Sequence, residues 1–149
     1  MELEKEIQQA QFKDEYQKLM LNILFTSNWL NLKQIQLLKP YGISPQQYNI
    51  LRILRGQHPK QATVTLLTER MLDKNSNASR LVEKLRTKDL VARHECPQDR
   101  RAVNVKITSK GLELLYELDL VMGESENVLH IISEEEAKSL NNLLNRLRD

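Results

Sequence analysis

The chain has 149 residues, 40% of them hydrophobic and 28% charged, with a formal net charge of +2 and one cysteine. One domain of that length can bury enough surface to fold without staples, and a lone cysteine excludes an internal disulfide framework or an all-cysteine metal site and fits a reducing compartment. There is no apolar run of about 18 residues to span a membrane, and the charged start Met1-Glu2-Leu3-Glu4-Lys5-Glu6 is neither a secretion signal nor an anchor. A cytoplasmic protein without a membrane partner is expected.

From about Phe12 to Leu38, apolar residues recur at helical spacing, with Phe25 and Trp29 outside the main face; this predicts a long helix with contacts on more than one side. Pro40-Tyr41-Gly42 breaks it. Ser44-Pro45-Gln46-Gln47 then supplies a capping box and a first-turn proline for a helix through Tyr48, Leu51 and Leu54. Thr63 or Thr65 caps a short helix through Leu67 and Met71, and Asp73-Lys74-Asn75-Ser76 is a turn whose side chains can bond their own backbone. The next helix runs from near Ser76 to Lys88 and buries Ala78, Leu81, Val82 and Leu85.

A hairpin follows directly. Its strands are expected over Leu90 to Cys96 and Ala102 to Thr108, joined by Pro97-Gln98-Asp99-Arg100-Arg101. Thr108 or Ser109 caps a second long helix reaching about Ile132. Ser133-Glu134-Glu135-Glu136 is a second capping box, opening a last helix with Leu140, Leu143, Leu144 and Leu147 on one face. The fold class is therefore mainly α with a small β-hairpin wing: a winged helix-turn-helix flanked by long dimerisation helices. The expected division is an N-terminal helix over residues 1–40, the winged helix-turn-helix domain over 41–109 and the C-terminal helices over 110–149.

Charge is distributed unevenly. Residues 60–110 hold 12 basic and 6 acidic side chains, a net of +6, and the remainder carries −4. A helix entering the major groove needs a short, polar outer face near its N-terminus, with cations that reach phosphates. Asn75, Ser76, Asn77 and Ser79 supply the first, and Arg80, Lys84, Arg86 and Lys88 the second. At the hairpin tip, Arg100 and Arg101 are candidates for the electronegative minor groove, with Asp99 able to hold a guanidinium fork in place.

Four elements resemble the MarR family of bacterial transcription regulators: Ser79-Arg80-Leu81-Val82-Glu83-Lys84-Leu85, Leu90-Val91-x-Arg93, Asp99-Arg100-Arg101-Ala102 and Ile107-Thr108-x-x-Gly111. The resemblance implies groove-facing positions at Ser76, Asn77, Ser79 and Arg80, and a minor-groove position at Arg101 supported by Asp99. Arg100 is a phosphate-contact candidate at best. Asp89 stands where such proteins usually close the recognition helix with glycine, and Thr68 where they carry a small alanine.

The leucine series of the terminal helices needs a cover that a compact winged domain does not provide, and a two-fold partner would provide it. Two winged domains then face successive major grooves, about 10 base pairs apart, on a pseudo-palindromic operator. The resemblance also implies a small aromatic or amphipathic effector between the dimer helices and the winged domain, for which Tyr16, Trp29 and Tyr48 are crevice candidates alongside a reading as plain core. His58, His94 and His130 are widely spaced and Cys96 sits alone, so neither a metal, another cofactor nor a redox role is expected. No nucleophile elbow, phosphate loop or metalloprotease motif occurs, so the chain is read as no enzyme. Its expected function is ligand-responsive repression through double-stranded DNA; the alternative is a winged-helix protein-interaction module without specific DNA binding.

Overall fold

The computed structural model describes the backbone of residues 1–149 and every side chain except those of Cys96 and residues 99–102. A short helix, α1 (Leu3–Glu6), precedes the 24-residue α2 (Glu15–Leu38). The start of α2 is set by Asp14, whose carboxylate accepts the Gln17 N–H at 2.8 Å, satisfying a donor that has no partner within the helix. Phe12 therefore stands before the helix rather than on it. A 3-10 turn (Lys39–Tyr41) and Gly42, at φ 70°, end the run.

Helix α3 (Pro45–Gln57) begins with the expected capping box: the Gln47 N–H donates to Ser44 Oγ at 3.1 Å, and the Ser44 N–H donates to Gln47 Oε1 at 2.9 Å. The box satisfies the buried Gln47 amide oxygen. A two-residue strand, β1 (Ala62–Thr63), leads into α4 (Val64–Arg70), and α5 (Ala78–Thr87) follows after a seven-residue turn. Strands β2 (Val91–Cys96) and β3 (Asp99–Ile107) form the hairpin, and the antiparallel sheet has the order β1-β3-β2. Pairing begins with Cys96 opposite Asp99, so the connection is shorter than the five residues expected. A register irregularity between Glu95 and Cys96 absorbs the difference.

Helix α6 (Ser109–Glu126) stops six residues short of its expected end and passes through a 3-10 turn (Asn127–Ile131) into α7 (Glu134–Arg146). One core joins the elements: Leu38 of α2, Leu51 of α3, Leu67 of α4, Leu85 of α5, Val105 of β3 and Leu115 of α6 are all fully buried. The burial of Ala78, Val82 and Leu85 fixes which side of α5 faces inward. The terminal helices differ. Leu24 of α2, Leu120 of α6 and Leu143 of α7 are 60%, 79% and 51% exposed.

Candidate nucleic-acid interface

The turn between α4 and α5 is held at three points. The Leu72 N–H donates to Asn49 Oδ1 on α3 at 2.9 Å, the Asn75 N–H to Asp73 Oδ1 at 3.0 Å, and the Ser76 N–H to the Asp73 carbonyl at 3.2 Å. Asn77 then caps α5, its Oδ1 accepting from the Arg80 N–H at 3.1 Å. The recognition helix thus starts at Ala78, two residues later than the periodicity suggested, because Asn77 is worth more as a cap than inside the helix.

Of the recognition-helix candidates, Asn75, Asn77, Ser79, Arg80 and Lys84 are exposed. Ser76 is not: it is half-buried, and its Oγ faces inward with no hydrogen-bond partner among the described residues. Asn77 keeps its amide NH₂ for a ligand while its oxygen holds the helix.

The cations divide into two groups. Arg86 grips Glu83 through three contacts of 2.6 to 3.2 Å, and Arg93 lies 3.6 Å from the same carboxylate. Glu83 is held below the usual carboxylate range chiefly by its hydrogen bond from Arg86. Lys88 donates to the Gly42 carbonyl. Arg80 and Lys84 carry no ion pair among the described residues and stand on the outward side of α5. The wing candidates Asp99, Arg100 and Arg101 fall on β3 by backbone, but their side chains lie outside the described residues, as does that of Cys96.

The far end of α5 is closed by two backbone bonds, Leu90 N–H to the Leu85 carbonyl (3.1 Å) and Asp89 N–H to the Arg86 carbonyl (2.9 Å), with Leu85 and Leu90 both buried. This is a Schellman closure, and it puts Asp89 at φ 59°, the left-handed conformation expected where a glycine is missing. Thr108 then joins recognition helix to α6: its Oγ1 donates to the Asp89 carbonyl at 2.7 Å and accepts the Gly111 N–H at 3.0 Å. Farther along α6, Asp119 takes a two-pronged contact from Arg55 of α3, at 2.8 and 3.0 Å. The helix that leaves the winged part is thereby fixed to it at two levels.

Beside the turn lies a groove of about 720 Å³ between α2, the start of α3, residues 72 and 73, and α7. None of the three aromatic crevice candidates lines it. Tyr48 is buried in the core with its hydroxyl accepting from Arg52 at 3.1 Å. Trp29 lines a smaller cavity of about 200 Å³ with Leu3 and Phe25, with Lys33 4.7 Å from its ring centre. Tyr16 is 82% exposed. Aromatic content pointed away from the groove, which Asn22, Thr26 and Asn31 of α2 line beside Leu19, Ile23 and Leu30. Asn49 was missed as a positioning residue because its partner is distant in sequence; Asp73 was read as a turn former and Thr108 as a cap, but the bond from Thr108 to Asp89 was not anticipated.

Among the described residues no three His, Cys, Asp or Glu side chains gather as a metal site. No helix among the described residues is long and apolar enough to cross a membrane.

A sequence model of the MarR family matches residues 41–102. The HTH-type transcriptional regulator MhqR of Bacillus subtilis (strain 168) is 28% identical over 110 residues, covering 72% of this chain and 73% of that protein. The fold is shared with S. aureus MepR, solved in complex with DNA, at a TM-score of 0.77 and 23% identity over 92% of this chain and 97% of that one. It is shared equally with Bordetella bronchiseptica BpsR, described as regulated in its DNA binding by 6-hydroxynicotinic acid, at a TM-score of 0.74 and 19% identity over 85% and 90% of the two chains.

Proposed function

From the family model over residues 41–102 and the relatives it resembles, we propose that the chain is a MarR-type transcription regulator, a ligand-responsive repressor that binds a pseudo-palindromic operator as a homodimer. Residues 41–109 read the DNA, and residues 1–40 and 110–149 build the dimer. The family consists of regulators, not enzymes, and the reading places this one in the cytoplasm with its DNA.

The observation that carries the DNA half is the outer face of α5. Its aliphatic side is locked into the core, so Asn77, Ser79, Arg80 and Lys84 are turned outward together. Arg80 and Lys84 are spaced by four residues on one side of the helix, and Arg86 and Lys88 are engaged within the protein. Short polar groups near the helix start suit base edges and the two cations suit phosphates. MepR, solved on DNA, supports the same use of this fold.

The dimer half rests on exposed leucines along α2, α6 and α7, an apolar extent that a single protomer rarely leaves in water. Two-fold pairing of these helices would place two α5 helices about one DNA turn apart. Asp99, Arg100 and Arg101 then extend the reading to the minor groove on either side, with Arg101 the group that enters and Asp99 its support. The groove beside the turn is the effector site in this reading, and the regulation described for BpsR supports a small-molecule release of DNA.

Selection from a random duplex pool tests this directly. The expected product is an enriched site with two inverted halves centred about 10 base pairs apart; a pool that stays unenriched, or enriches single unpaired halves, would overturn it in favour of a protein-interaction module.

A further inference from the structure

We infer that the effector groove accepts an uncharged aromatic or amphipathic molecule bearing amide-like or hydroxyl hydrogen-bonding groups, and rejects carboxylates. This rests on the regulatory reading above and deepens it by naming the ligand class. At about 720 Å³ the groove matches the usual size of small-molecule sites. Leu19, Ile23 and Leu30 of α2 form its apolar floor, and Asn22, Thr26 and Asn31 of the same helix also line it. Gln46 and Asn49 of α3 face them across the groove, with Leu72 exposed at its rim.

Charge decides the class. Among the described residues Asp73 is the one ionisable side chain lining the groove, and it is a carboxylic acid. A carboxylate entering here would leave its hydration shell without a cation to replace it and would meet a like charge. A carboxamide or hydroxyl loses less and finds matching partners, since Asn and Gln both donate and accept. Asn49 adds a directional element: its Oδ1 already accepts from the Leu72 N–H, so its NH₂ donor is the group more available to a ligand.

Occupancy has a short path to DNA. A ligand resting on Leu72 and drawing on Asn49 competes for the bond that anchors the turn, and Asp73 holds the backbone of Asn75 and Ser76. The α5 cap at Asn77 follows immediately.

Titration calorimetry on the full-length protein with 2-naphthamide and 2-naphthoate, which share shape and differ in charge, tests the inference. The expected result is at least tenfold tighter binding of the amide, with Asn31→Lys moving the amide-to-carboxylate ratio at least tenfold toward the carboxylate. Gln34→Lys, at a second lining position, repeats the reversal should the first variant fold poorly. Equal or tighter carboxylate binding by the unaltered protein, a ratio indifferent to both lysines, or no binding of either probe would overturn it; the last is the outcome if a second protomer fills the groove. Operator affinity of the same preparations separates the two claims. Intact DNA binding with any of these failures removes the ligand class alone, and absent DNA binding removes the regulatory reading.

Discussion

Gly111, in the first turn of α6, packs against Ile107 at the end of β3 and Leu90 just beyond α5. An added Cβ would lie 2.7 Å from Ile107 Cγ1 and closer still to the Leu90 carbonyl, and neither the backbone nor a strand-held isoleucine can withdraw cheaply. Gly111→Ala is therefore expected to destabilise the fold by about 1–3 kcal/mol, as overpacking does. Urea unfolding reads this as a lowered midpoint, and an unchanged midpoint would mean that the approach is looser than described. At the other end of the chain, Glu136 is held below its ordinary value near 4.5, first by the Ser133 backbone N–H and also by that residue's side chain. A depressed carboxylate contributes stability that is full above its unfolded pKa and is lost as pH falls through the folded one. The helicity of α7 should thus decline in acid below about pH 4.5, and Glu136→Gln should remove part of that dependence, as circular dichroism against pH would show; identical acid profiles would argue against the box.

For α5 as an element, holding the helix and the proposed reading of DNA are shared unequally among side chains. In that proposal Asn77 does both, since its Oδ1 caps the helix and the residue is exposed. Arg80 does only the second, because its side chain has no protein partner among the described residues. Asn77→Ala should cost about 1 kcal/mol of stability and also shift sequence preference. Arg80→Ala should leave stability within about 0.5 kcal/mol and weaken DNA binding. Paired unfolding and binding measurements separate these, and stability losses of equal size would place Arg80 in the fold rather than on DNA. The inner face of α5 was legible because Ala78, Leu81, Val82 and Leu85 repeat at helical spacing. The inward turn of Ser76 Oγ was not, since periodicity says nothing about residues ahead of a cap. The start of α2 slipped for a related reason: Phe12 matches the apolar period, but Asp14 supplies the cap, and local hydrogen bonding sets where a helix begins.

Across the whole molecule, the order of helices, the hairpin and the left-handed Asp89 were all readable from the chain, because each depends on residues adjacent in sequence. Long-range ties were not. Arg55 to Asp119 joins residues 64 apart, and Thr108 to Asp89 links two elements whose contact no local pattern announces. The groove escaped for the same reason, being made of four segments that meet only in the fold. These ties bear on function because they join the helices proposed for the dimer to the helix proposed for the DNA, so that a change between protomers has a rigid route to the spacing of the two α5 helices. The central claim is that this spacing is read on DNA through Arg80 and Lys84 of each protomer. Its most direct test is the salt dependence of binding to the selected palindromic duplex. Affinity should fall steeply and log-linearly with salt, and removing either cation should reduce the slope by about 1 for each phosphate that it neutralises. A flat salt response, or a slope that neither Arg80→Ala nor Lys84→Ala changes, would contradict it.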